Sequence, residues 1–355
     1  MITDIKINKP TPIAVDKTIK PYKGGTNIRA TIETLEAGKY VLITGLYSNG
    51  LTLLEELHKY LKRTLPNKTF EEQRAYRAKY QALSNLVLVE IADHKLVVRK
   101  SPSIGWFEKF YPENTNYLLT FPQVQGLNSA WQWYLKGLTI PVLRNKIHPY
   151  YGTYFPTRFE HLYIFDKWLS KYEGAKKSAV DVGIGCGVLS FQMVKHGFQK
   201  VFGTDTNPNA IAGLSEFMGE TKLSRKIELD FGHLFGNLKK QTELIVFNPP
   251  WLPKLQKGDA IDKAIYYDED LFPEFFEQAK ERLLPDGKLL LLFSNLAEIT
   301  NVTKEHPIKK ELAKGGRFQL EKCYTKPVKR ASEITKRNQH WRSLEEVQLW
   351  VLTHK

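Results

Sequence analysis

From Ala179 onward, short apolar runs recur with helical segments between them: AVDVG, KVFGTD, KIELD, ELIVFN and KLLLLFS. This alternation constrains the fold more than any other feature, because strands separated by helical crossovers pair in parallel. The runs are almost continuously apolar, which predicts strands covered on both faces. Two later runs, RFQLEKCY (Arg317 to Tyr324) and EEVQLWVLTH (Glu345 to His354), have only a polar basic segment between them. They read as an antiparallel pair that closes the sheet.

The first part of the chain has a different grammar. KYVLITGLY followed by LTLLEELHKYLKR reads as a strand and an amphipathic helix, EEQRAYRAKYQALS has helical spacing, and NLVLVEIADHKLVVRK reads as two strands around a turn at Asp93 and His94. A small α+β domain is expected over residues 1–145, with a possible part in substrate recognition, and a second domain over residues 146–355. The turn-rich stretch NKIHPYYG (Asn145 to Gly152) marks the boundary. The 355 residues suffice for a large core in two domains. The amino terminus lacks an apolar signal core and no apolar window is long enough to span a bilayer, so a cytoplasmic protein without membrane contact is expected.

Two cysteines, Cys186 and Cys323, cannot build a disulfide framework or a thiolate zinc site. His148, His161 and His196 have no acidic or cysteine partner at ligand spacing, so no metal is expected. The net charge of +14 favours a polyanionic partner: RNA, DNA or a ribosomal particle.

Chemistry concentrates in SAVDVGIGCGVLS, Ser178 to Ser190. A strand enters three alternating glycines, Gly183, Gly185 and Gly187, and leaves as an apolar helix. A tight turn and the close approach of a ligand to the backbone both require residues without a Cβ. The next strand ends at Asp205, where a carboxylate can accept hydrogen bonds from both hydroxyls of a ribose. A nucleoside-bearing cofactor is implied. Val188 stands where a dinucleotide fingerprint needs its third glycine. The GxGxG spacing, preceded by Asp181, resembles motif I of class I S-adenosylmethionine-dependent methyltransferases. That resemblance puts the Gly183–Gly187 loop under the methionine part of the cofactor and Asp181 near its amino group, with Asp205 on the ribose.

The apolar run ELIVF ends in Asn248-Pro249-Pro250-Trp251. This NPPW sequence resembles the motif of methyltransferases that act on planar nitrogen, among them the release-factor glutamine methyltransferases and the RNA and DNA base amino methyltransferases. Such a nitrogen is a poor nucleophile because its lone pair is delocalised. Accepting its two N–H groups on the Asn248 side-chain oxygen and the Pro249 carbonyl would draw density onto it and aim it at a methyl donor. Trp251 can stack on the flat group, and Pro249 and Pro250 stiffen the turn. The resemblance spans about residues 150–355 and implies a doubly wound α/β fold with a seven-stranded sheet, in the order 3-2-1-4-5-7-6 with strand 7 antiparallel.

Upstream, Pro156-Thr157-Arg158-Phe159-Glu160 is similar to a proline-arginine-glutamate segment that flanks cofactor and substrate in the glutamine methyltransferases. By that likeness Tyr154, Phe155 and Pro156 cover the methionine end of the cofactor and Arg158 faces the substrate pocket. His233 stands where relatives carry an acid that meets the adenine, a contact an imidazole can also make. Asp268-Glu269-Asp270 is expected to cap a helix over Leu271 to Leu284. The basic run Lys326 to Arg342, with Trp341 among its arginines, suits a nucleic-acid surface.

The expected activity is transfer of a methyl group from S-adenosylmethionine to a planar nitrogen of a macromolecule. A glutamine side chain of a translation protein such as a release factor is the first reading, and a base amino group of RNA, including ribosomal RNA, or of DNA is the second. A catalytically inactive cofactor-binding module is the reading of another class, and the intact Asn248 speaks against it.

Overall fold

The computed structural model describes residues 5–14, 19–66, 70–219, 221–254, 266–328 and 344–355. Contacts divide the chain into two compact units: Lys9–Leu135, and Met1–Asn8 together with Lys136–Lys355. The sequence placed the boundary ten or so residues later. Leu138 and Ile147 exchange both backbone hydrogen bonds (2.7 and 3.0 Å), and Ile140 is fully buried in the core of the larger unit, so residues 138–147 fold with it.

In the smaller unit, β1 (Lys20–Tyr22), β2 (Val41–Ile43) and β3 (Val87–Ala92) pair in parallel, while β4 (Lys95–Leu96) and β5 (Asn116–Thr120) pair antiparallel to β3. Helices α1 (Ile28–Glu36), α2 (Tyr47–Thr64), α3 (Phe70–Ser84), α4 (Trp106–Phe110) and α5 (Phe121–Lys136) complete it. The β3–β4 turn falls on Asp93 and His94 with φ of 47° and 59°, the left-handed pair that a two-residue hairpin demands. Leu53, Leu57, Val87, Leu88, Val89 and Phe121 form part of its core.

The larger unit contains α6 (Glu160–Leu169), β6 (Ser178–Val182), α7 (Val188–Lys195), β7 (Lys200–Asp205), α8 (Pro208–Gly219), β8 (Ile227–Phe231), β9 (Thr242–Phe247), and the two-residue strands β10 (Leu252–Pro253) and β11 (Tyr266–Tyr267). It continues with α9 (Leu271–Arg282), β12 (Leu283–Ser294), α10 (Leu296–Ile299), α11 (Pro307–Lys314), β13 (Phe318–Pro327) and β14 (Glu346–His354). The main sheet runs β13-β14-β12-β9-β6-β7-β8, and only β14 is antiparallel to its neighbours. Read by strand rank this is 3-2-1-4-5-7-6, as the family resemblance implied. Separate apolar clusters line the two faces, one around Leu162, Phe165 and Leu189, the other around Phe235, Phe275 and Phe276. Burial on both faces is why β9 reads as an unbroken apolar run; all six of its residues are buried.

Two local expectations are corrected. Helix α9 ends at Arg282, because Leu283 already pairs with Thr242 of β9. Asp270 holds the N-cap position but its side chain makes no capping hydrogen bond, while nearby Asp268 pairs with Lys254 at 3.2 Å.

Candidate active site

Strands β6 and β9 are parallel neighbours, and Val182 lies opposite Phe247 in their register. Gly183 and Asn248 therefore leave the same end of the sheet side by side, at the point where strand order reverses and open α/β sheets bind ligands. Gly183, Gly185 and Gly187 all have left-handed φ, 68°, 53° and 82°, which side-chain-bearing residues strongly resist. The Tyr154 carbonyl oxygen lies above Gly185, 3.6 Å from where its Cβ would project.

Two carboxylates organise this loop. Asp181 is fully buried at the end of β6; its Oδ2 accepts from Ser190 N (2.9 Å) and Ser190 Oγ (2.7 Å), while its Oδ1 is buried without a partner among the described residues. Burial raises its pKa to about 7 against the lowering effect of the Ser190 bonds. Asp205 Oδ2 accepts from Gly185 N (2.8 Å) and Oδ1 from Asn207 N (2.8 Å), fastening the end of β7 to the glycine loop. Its pKa is also raised by burial, opposed by those backbone bonds. Each oxygen keeps lone-pair capacity for a further donor. Cys186 within the loop is a neutral thiol, its pKa pushed up to about 12 by burial.

At the end of β9, Trp251 Nε1 donates to Asn248 Oδ1 at 3.2 Å. Pro249 is buried between them and Pro250 half-buried. The short β10–β11 pairing and a Lys254 N to Tyr267 O bond (2.9 Å) then pin the chain just beyond the indole. Behind Trp251 stands His161, its ring perpendicular to the indole with centroids 5.7 Å apart. His161 is buried, its Nδ1 has no partner among the described residues, and burial lowers its pKa to about 4. The sequence treated this histidine only as a poor metal ligand. Its contact with Trp251 spans ninety residues, beyond any local pattern.

Tyr151 and Gly152, which lead into the segment ending at Arg158, are held by two asparagines at the start of α8. Asn209 Nδ2 donates to Tyr151 O (2.7 Å) and Asn8 O (2.8 Å), and Asn207 Nδ2 donates to Gly152 O (2.8 Å). Pro156 is buried, Phe155 packs on the core and Tyr154 is exposed. Arg158, expected to face the substrate pocket, has its Nη1 on Glu345 Oε2 at 2.6 Å. Glu345 is almost completely buried before β14 and needs a counter-charge, which accounts for the difference. His233 Nε2 lies 3.0 Å from Glu274 Oε2 on α9, both side chains about half exposed. His196, for which the sequence offered no acidic partner, meets Asp166 Oδ1 at 2.8 Å, an oxygen shared with Lys195 Nζ. The basic run beyond Val328, with Trp341, lies outside the described residues.

Residues 165–320 match the family model described as the methyltransferase small domain. Over this stretch the chain is similar to methyltransferase domains. A provisionally named protein N5-glutamine methyltransferase of Methanocaldococcus jannaschii is 28% identical over 142 residues, 37% of this chain and 70% of that protein. The release factor glutamine methyltransferase of Buchnera aphidicola is 25% identical over 178 residues, 50% of this chain and 57% of that protein. The ribosomal RNA small subunit methyltransferase C of Alcanivorax borkumensis is 28% identical over 92 residues, 26% of this chain and 27% of that protein. The matches to the last two thus span only part of those proteins' lengths.

The similarity to methyltransferase domains implies S-adenosylmethionine as cofactor, and the residues present fit it. The orphaned Asp181 Oδ1 is an acceptor suited to an ammonium, Asp205 keeps acceptor capacity for hydroxyls, and Gly183, Gly185 and Gly187 carry no side chain at the three left-handed positions of the loop. Among the described residues, no helix is long and apolar enough to cross a membrane.

Proposed function

We propose that this protein methylates a planar nitrogen of a macromolecule, and that the nitrogen is a glutamine side-chain amide of a translation protein. The observation that carries the proposal is the Trp251 Nε1 to Asn248 Oδ1 hydrogen bond beside the glycine loop. It turns the Asn248 oxygen toward the indole and fixes the amide. One lone pair of that oxygen holds Trp251 and the other is available to a substrate N–H. The Pro249 carbonyl is the second acceptor, so both hydrogens of a primary amide have places to go. S-adenosylmethionine, when bound, supplies an electrophilic methyl on a sulfonium. Asn248 and Pro249 orient the nitrogen and enrich its electron density, Trp251 offers its ring to the flat amide, and the displaced proton passes to water. The glutamine substrate draws on the two relatives named for glutamine methylation.

A base amino nitrogen would use the same two acceptors. It is supported by the ribosomal RNA methyltransferase among the relatives and by the net charge of +14. Residues 1–145 are proposed to recognise the macromolecule. Incubation of the protein with methyl-labelled cofactor and cell lysate tests both readings: label in protein, released as N-methylglutamine on proteolysis, is expected, and label confined to nucleic acid would reverse the order of the two.

A further inference from the structure

We propose that α6 and the outer strand β13 form a docking surface for single-stranded RNA beside the Asn248 slot. Lys322, Tyr324 and Lys326 occupy alternate positions of β13 opposite Val351, Leu349 and Val347 of β14. Those three β14 residues belong to the apolar cluster beneath α6. One strand outward, the same face of the sheet turns from core to cations and an aromatic ring. Lys322 Nζ lies 5.0 Å from the Tyr324 ring centroid, and Lys326 Nζ lies 5.9 Å from that of Tyr163 on α6. Tyr163 and Tyr324 are 38% and 37% exposed, and Lys167 stands one helical turn beyond Tyr163. Among the described residues, no carboxylate pairs with Lys167, Lys322 or Lys326, and neither tyrosine hydroxyl is hydrogen-bonded.

The surface adjoins the reaction site. Lys326 pairs with Val347, which pairs with Ser294 at the carboxyl end of β12, and Phe247 just before Asn248 pairs with Leu291 of the same strand. Three inter-strand spacings separate β9 from β13, about 14 Å across the sheet. Helix α6 bridges that distance, with His161 against Trp251 and, two residues on, Tyr163 under Lys326.

Lysines on an edge strand discourage pairing with other sheets, which accounts for the cations but not for the half-exposed tyrosines beside them. An acidic peptide would satisfy the lysines and leave the rings unused. A single-stranded polynucleotide uses both, with phosphates on the lysines and bases on the rings. The open tyrosine hydroxyls can reach a ribose 2′-hydroxyl, the group that separates RNA from DNA. The proposal goes beyond the methyl-transfer reading and holds whichever nitrogen is methylated.

Fluorescence anisotropy of the full-length protein with a short mixed-sequence single-stranded RNA tests it. Tyr163→Ala and Tyr324→Ala are each expected to weaken binding about tenfold, within the range of one lost base stack. The double change Lys322→Gln with Lys326→Gln should flatten the log–log salt dependence by about 1.4, at roughly 0.7 per phosphate. Calorimetry with S-adenosylhomocysteine should give wild-type affinity for all of these variants, which shows that they are folded. Wild-type RNA affinity in the tyrosine variants would overturn the proposal, as would equal affinity for single-stranded DNA or equally effective displacement by poly-glutamate. RNA binding is read without methyl transfer, so loss of the catalytic reading would appear separately, as absent label transfer with RNA binding intact.

Discussion

Asn248 and Trp251 are three residues apart, and the indole of one holds the side-chain oxygen of the other at 3.2 Å. The bond makes Asn248 an oriented acceptor rather than a free rotor. Asn248→Ala should lower kcat by about two to three orders of magnitude, the loss typical of one preorganised hydrogen-bonding partner of the reacting group, and leave cofactor affinity unchanged. Trp251→Phe keeps a flat ring and loses the N–H, and about a tenfold loss is expected. Methyl-label kinetics together with calorimetry check both, and undiminished turnover in Asn248→Ala would remove the acceptor role.

A cofactor ammonium held by Asp181 would give binding a pH dependence. Its folded pKa, about 7, is raised above the ordinary carboxylate value, so its contribution to stability is fullest at low pH and declines as pH rises through about 7. An ammonium against its orphaned Oδ1 would favour the ionised form and expel the proton. Affinity for S-adenosylhomocysteine should therefore rise by up to about tenfold between pH ~6 and ~8, with proton release below about 7. Calorimetry in buffers of different ionisation enthalpy measures that release. Asp181→Asn should bind weakly with no such rise.

His161 acts in the opposite sense. Its folded pKa is lowered to about 4, so its neutral form contributes stability above the unfolded value of about 6.5 that is lost as pH falls toward 4. The loss is on the order of 3 kcal/mol. His161→Phe keeps an aromatic ring against Trp251 and should narrow the fall in denaturation midpoint over that window. Parallel curves for the variant and wild type would show that the imidazole does not titrate there.

Arg158 and Glu345 form an ion pair of which only the arginine reaches solvent. Arg158→Ala should destabilise the fold by roughly 2 kcal/mol, discounted for that exposure, by stranding a buried carboxylate. Adding Glu345→Gln should recover most of it. Thermal unfolding reads the stability and steady-state kinetics the activity. A large kcat loss in Arg158→Ala that Glu345→Gln leaves unrepaired would return Arg158 to the substrate.

Gly185→Val forces a β-branched residue into φ of 53° beneath the Tyr154 carbonyl. Loss of S-adenosylhomocysteine binding is expected, with the far-ultraviolet circular dichroism spectrum preserved. Tight binding in this variant would exclude the glycine loop from the cofactor site.

What could be read from the sequence is what local periodicity and covalent chemistry encode. Continuous apolar runs with crossovers between them specify parallel strands, left-handed positions call for Gly183, Gly185 and Gly187, and prolines after β9 stop the strand and expose Asn248. Side-chain partnerships across long separations carry no periodic signature. Arg158 meets Glu345 across 187 residues, Trp251 meets His161 and Lys326 meets Tyr163 only because α6 lies over the sheet between them. The burial that lifts the Asp181 pKa and depresses that of His161 exists only once both faces of the sheet are covered. The sequence by itself therefore determined the seven strands of the main sheet, the glycine loop and the NPPW turn, whereas packing alone decided which charges are paired, which nitrogens titrate and that Arg158 meets Glu345.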